Sequence, residues 1–130
     1  MPSQTTPQII LTHFDWSLAR FKESIENEDT EYYREAALHR FKLTYDVALE
    51  TIRAFAKGQG QICSTEESCF QWVKGKQWLG NGINPNIMQA NYQKIQNQPK
   101  SEEVYKIYGE LQAYYILLNQ LSDRMKLAKE

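Results

Sequence analysis

An all-α fold, an up-and-down antiparallel bundle of four to five helices, is what this sequence predicts, on three observations. Apolar residues recur every three or four positions through most of the chain, the mark of helices with one buried face. No segment alternates apolar and polar residues as a half-buried strand would. The stretch Glu31 to Lys57 contains neither glycine nor proline, so nothing in it interrupts a helix. The 130 residues suit a single domain, 1–130, and the 12% aromatic share is well above what a disordered chain carries.

Residues 1–10 read as a flexible polar tail, with helical periodicity beginning near Thr12. Phe14, Leu18, Phe21 and Ile25 form the stripe of helix one, which fades in the acidic stretch Glu26 to Glu31. There Asn27 and Asp29 are candidates to break one helix and cap the next. Helix two runs from Glu31 to about Lys57, with Tyr33, Ala37, Phe41, Ala48, Ile52 and Phe55 facing inward over roughly 40 Å. Gly58 and Gly60 stop it, Gly58 as the left-handed cap. They are not a phosphate loop, because no strand precedes them and no Gly-Lys-Ser/Thr follows.

Ser64 and Glu67 have capping-box spacing and open a short helix three, which Gly75 ends. A turn-rich connection from Lys76 to Gly82 carries Trp78 as a lid over the end of the bundle. Asn84 and Pro85 open helix four, which runs to about Asn97. Its Asn91 falls among Ile87, Met88 and Ile95, so the amide needs a partner across a helix seam. Ser101 opens a last helix with Glu102 and Glu103 at its start and Arg124, Lys126 and Lys129 near its end, as the helix dipole favours. Its tyrosines 105, 108, 114 and 115 exceed what one small bundle can bury and point to a homodimer interface.

The apolar runs are far shorter than the ~20 residues that cross a bilayer, and Met1 to Pro7 lacks the features of a secretory signal, so the expected compartment is the cytoplasm. Cys63 and Cys69, six apart and without a second pair to build a zinc site, read there as free thiols. Net charge is −1 but unevenly spread: residues 68–100 hold four lysines and no acid. Lys74, Lys76, Lys94 and Lys100 interleave there with Trp72, Trp78 and Tyr92, a mixture that can hold phosphates while stacking a base.

Catalytic signals are sparse. His13 and His39 are the only histidines, on separate helices and in no metal-binding pattern, and each reads as a surface residue. No Gly-x-Ser-x-Gly elbow occurs, and no cofactor or metal is expected.

The stretch from Tyr33 to Ile52, in which a basic residue and two small residues precede Arg40-Phe41, Tyr45 and Ala48-Leu49-Glu50-Thr51, resembles the second helix of the nucleotidyltransferase substrate-binding proteins, a branch of the HEPN superfamily. The order of elements over roughly residues 12–126 is similar too. The resemblance implies a homodimeric helical bundle, like the C-terminal helical domain of kanamycin nucleotidyltransferase. Such a bundle works beside a separately encoded minimal nucleotidyltransferase, presenting substrate to it or regulating it. The partner would carry the metal and nucleotide chemistry, and this chain would be no enzyme. The expected ligand surface, for a nucleotide or RNA, is Lys74, Trp78, Tyr92, Gln93 and Asn97, with lysine for phosphate, aromatics for stacking and amides for base edges.

Many HEPN relatives are instead metal-independent ribonuclease toxins with Arg-(Asn/Asp/His)-x-x-x-His on the fourth helix. Here the matching positions are Tyr92, Gln93 and Asn97, or Ala90, Asn91 and Ile95 in a shifted register, which supply neither the arginine nor the histidine. An amide cannot donate the proton such cleavage needs. The alternative function, an endoribonuclease toxin, would require a relocated pair such as Arg40 with His39 or His13.

Overall fold

A computed structural model describes residues 6–79 and 85–128. The described residues form six α-helices and no strand: α1 (Thr6–Ile25), α2 (Glu31–Gly58), α3 (Glu66–Gly75), α4 (Pro85–Gln96), α5 (Ser101–Tyr108) and α6 (Leu111–Ala128). The fold is all-α as expected, but with six helices among the described residues rather than four to five. None of the described helices is long and apolar enough to cross a membrane.

The extra helix comes from the predicted last one, which divides at Gly109 and Glu110. The Gly109 backbone stays right-handed and its N–H still reaches the Tyr105 carbonyl, but the Glu110 N–H turns to Ile107, so the ladder breaks just after a glycine that costs about 1 kcal/mol against alanine inside a helix. Helix α1 starts at Thr6, not near Thr12. Pro7, taken as part of a tail, lies in the first turn, where its missing N–H has no helical partner to lose.

The caps are shifted in detail. Thr30, rather than Asn27 or Asp29, caps α2 by accepting the Tyr33 N–H, and Asp29 instead pairs with Arg34. The left-handed residue after α2 is Gly60 (φ 78°), not Gly58. Thr65 and Ser68, one residue along from Ser64 and Glu67, form the reciprocal capping box of α3. The expected cap Asn84 and the glycines at 80 and 82 lie outside the described residues.

Helix α2 is the axis of the molecule. It runs antiparallel to α1: Pro7 lies beside Gly58, Ser17 is bonded to Thr44, and Phe21 meets Phe41. Helix α1 runs antiparallel in turn to α6, where Asp15 accepts a hydrogen bond from Ser122 and an ion pair from Lys126, and Phe21 meets Tyr115 edge-on. Between these three helices lies the main core, with Phe14, Phe21, Phe41, Tyr114, Leu118 and Leu121 all buried. Tyr114 belongs to this core and Tyr115 is half-buried on Phe21, so the molecule itself takes up side chains expected at a dimer interface. Tyr105 remains exposed, beneath the Arg34 guanidinium.

One polar pair sits inside the α1/α2 seam. The Ser17 and Thr44 hydroxyls, both buried, lie 2.8 Å apart, and Thr44 also donates to the Ser17 carbonyl. Thr44→Val therefore leaves the Ser17 hydroxyl without its partner in a dry seam, and its expected cost is about 1–3 kcal/mol in urea unfolding. The Ser17→Ala/Thr44→Val double variant, which removes both groups, should recover most of that loss.

The cysteines are not free. Cys63 and Cys69 form a disulfide, with Cα atoms 5.0 Å apart. The loop leaving α2 turns back on the first turn of α3 and brings the two side chains together, a juxtaposition that spacing alone does not reveal.

Candidate functional site

Helix α4 carries two stripes offset by one residue. Met88 and Tyr92 are buried and Ile95 packs on the core. Ile87, Asn91 and Lys94, at the same helical spacing one position earlier, form the neighbouring flank, and Ile87 is 55% exposed.

Two adjacent residues fix the rotation of α4. The Tyr92 ring stacks on Tyr45 of α2 with centroids 4.1 Å apart, and its hydroxyl donates to Asp46. Asp46 also lies 3.6 Å from the Lys42 ammonium, while the Tyr45 hydroxyl donates to Glu66 of α3 at 2.8 Å. Burial first, and then the adjacent carboxylate, push the Tyr45 and Tyr92 phenols well above the usual tyrosine range. On the other side, the Asn91 amide nitrogen donates to the Tyr114 hydroxyl of α6 at 2.6 Å. That is the cross-seam partner the sequence demanded of Asn91.

With α4 so held, its Ile87/Asn91/Lys94 flank faces Glu103, Lys106, Ile107 and Glu110 at α5 and its exit, across a cleft of about 440 Å³. The volume is within the range of small-molecule sites. The floor is apolar, from Ile107 and Ile87. Two ammonium groups come from different helices, and none of the four charged side chains lies in an ion pair among the described residues. Because its nitrogen is bound to Tyr114, Asn91 has its carbonyl oxygen free to accept. Such a lining can bind a ligand with an anionic part at the lysines and an apolar part on the isoleucines. A second concavity, about 530 Å³, lies along the exposed start of α2 and is lined by Glu31, Tyr32, Glu35, Ala36 and His39. No group of three or more potential metal ligands occurs among the described residues.

The five residues expected to form a ligand surface line neither cleft. Trp78 is buried, edge-on to both Phe55 and Trp72, so it closes the end of the core as the sequence suggested and presents no face to a base. Tyr92 is likewise committed to Tyr45 and Asp46. Lys74, Gln93 and Asn97 are exposed, on the last turn of α3, on α4 and just beyond α4. Of the rival catalytic residues, His13 and His39 are exposed on α1 and α2, and Arg40 is half-buried. Sequence reasoning missed Ile87, Lys94, Glu103 and Lys106 as a group, although the offset of Ile87, Asn91 and Lys94 from the Met88/Tyr92 stripe was there to be read. The chain matches no known family model and no curated protein, so the chemistry of the cleft is read from its own residues.

Proposed function

We propose that this chain is a non-catalytic helical subunit, an up-and-down homodimeric bundle that binds a separately encoded minimal nucleotidyltransferase and holds a nucleotide or another phosphorylated substrate for it. The observation that carries the ligand part is that Lys94 and Lys106, from two helices and in no ion pair among the described residues, line one cleft with Glu103, Glu110 and an Asn91 amide already oriented by Tyr114. The two ammonium groups suit a phosphate, while the Asn91 oxygen and the Glu103 and Glu110 carboxylates suit the donor groups of a base or sugar attached to it. The partner part rests on the resemblance of the Tyr33 to Ile52 stretch and on the order of helices. Exposed apolar side chains such as Trp16 on α1 and Leu127 on α6 are available for contacts between chains.

Affinity purification of the tagged chain from its host should bring down a small nucleotidyltransferase in near-equal amount, and recovery of the chain alone would count against the partnership. A nucleoside triphosphate should raise the melting temperature of the purified chain. Each charge-assisted contact contributes about 1.5–3 kcal/mol, so Lys94→Ala/Lys106→Ala should weaken binding at least about tenfold. Lys74→Ala should leave it unchanged. A shift that survives the loss of both cleft lysines would place the ligand elsewhere.

A further inference from the structure

We infer that the Cys63–Cys69 disulfide is a redox-operated latch on α3: a cellular dithiol that opens it releases α3 while the core of α1, α2 and α6 stays folded. The inference is independent of what the α4/α5 cleft binds and rests on where the bond lies.

The chain leaves α2 through the left-handed Gly60, and residues 59–62 are exposed, Ile62 at 88%. It then dips inward at Cys63, 7% exposed, and the bond reaches Cys69, 0% exposed, on the first turn and a half of α3. The ring so closed spans residues 63–69 and contains the Thr65/Ser68 capping box that starts the helix. Helix α3 has ten residues, fewer than the ~12–15 at which a helix is even marginal alone, so it persists only where it is held. Apart from the bond, what holds it is the Phe70 ring against Tyr45, the buried Val73, Trp72 edge-on to the buried Trp78, and the Tyr45 hydroxyl on Glu66. The aromatic contacts of Phe21 and Phe41 with Tyr114 and Tyr115, which join α1, α2 and α6, do not involve α3. The ring restricts only residues 63–69, so its loss most directly eases the opening of that neighbourhood.

The chemistry balances with a dithiol as reductant. Its thiolate attacks the sulfur of Cys63, the less buried of the two cysteines, and the S–S bond breaks with Cys69 leaving as a thiolate that takes a proton from water. The second thiol of the reagent then displaces Cys63 from the mixed disulfide. The dithiol is oxidised to its disulfide, and both protein cysteines end as thiols. Oxidation back requires a small-molecule disulfide such as glutathione disulfide, which is reduced in turn.

The test treats the folded, oxidised protein with dithiothreitol in the absence of denaturant, counts thiols, and follows amide hydrogen exchange by segment. Two thiols should appear, and exchange in residues 66–75 should quicken on the order of 50-fold, the factor loop closure assigns to a ring of this size. The middle of α2 and α6, which opens only by global unfolding, should quicken by no more than that factor and stay more protected than α3. Glutathione disulfide should restore the original pattern. The Cys63→Ser/Cys69→Ser variant should show the reduced pattern without any reagent, which separates loss of the bond from side effects of the reductant. Thiols that appear only on global unfolding, or an α3 as protected after reduction as before, would overturn the latch.

Discussion

Phe41→Ala should cost about 3–5 kcal/mol, the range for deleting a buried aromatic ring whose site cannot collapse. The ring is fully buried at the meeting point of three helices, with centroids 5.8 Å from Phe21 of α1, 5.8 Å from Tyr45 of its own helix and 5.3 Å from Tyr114 of α6. Each such pair contributes about 0.5–1.5 kcal/mol beyond the area it buries. Removing the ring breaks three of them at once and leaves a void whose walls are themselves large and fixed: Tyr114 by Asn91, and Tyr45 by Glu66. A domain typically has about 5–15 kcal/mol of stability in total, so one substitution consumes a large part of it. Urea unfolding of the variant should show a lowered midpoint with an unchanged slope. Tyr32→Ala, at a ring 76% exposed on the same helix, should stay within about 0.5 kcal/mol of the parent. A loss below about 1.5 kcal/mol for Phe41→Ala would contradict the three-helix junction.

That junction was largely legible in the sequence. Phe41 falls on the inward stripe of the one segment with no helix breaker, and the start of α2 at Glu31 and its end at Gly58 lie where composition put them. Less legible were features for which two physical uses share one residue type. Pro7 punctuates a tail and also suits a first helical turn. Gly109 divides a helix without leaving right-handed geometry. Tyr92 and Trp78 have the rings a base would stack on, yet the same rings are what a small core fills itself with, and here they do. Their burial takes two members out of the expected ligand surface. The cleft went unread for the converse reason: Glu103 has a sufficient explanation in the helix dipole and Lys94 in a solvated face, and only the packing of α4 and α5 on α2 sets them across one cleft. The disulfide depends on a chain reversal between residues 58 and 66 that six-residue spacing does not specify.

The tyrosines that orient α4 should also set the alkaline limit of the fold. Tyr45, Tyr92 and Tyr114 are all raised above the ordinary tyrosine value, in each case first by burial. Glu66 adds to the effect at Tyr45 and Asp46 at Tyr92, while the Asn91 hydrogen bond works the other way at Tyr114. In the unfolded chain each phenol loses its proton near pH 10. The folded chain retains those protons, so above pH 10 the unfolded state binds fewer protons and stability must fall as pH rises. Below pH 10 the contribution is fully present. Each retained proton costs about 1.4 kcal/mol per pH unit, so Tyr45 and Tyr92 together cost about 3 kcal/mol per unit, with Tyr114 acting in the same direction, enough to unfold a domain of ordinary stability within a few units. Helicity and phenolate absorbance followed on one titration should therefore show the three buried phenols ionising together with the loss of helix. Tyr92→Phe removes one retained proton and should flatten the fall in stability by about 1.4 kcal/mol per pH unit, even though it gives up the bond to Asp46 at neutral pH. Buried phenols that ionised while helicity was intact would show that water reaches the Tyr45/Tyr92 stack, and the rigid placement of α4 on which the cleft depends would fail with it.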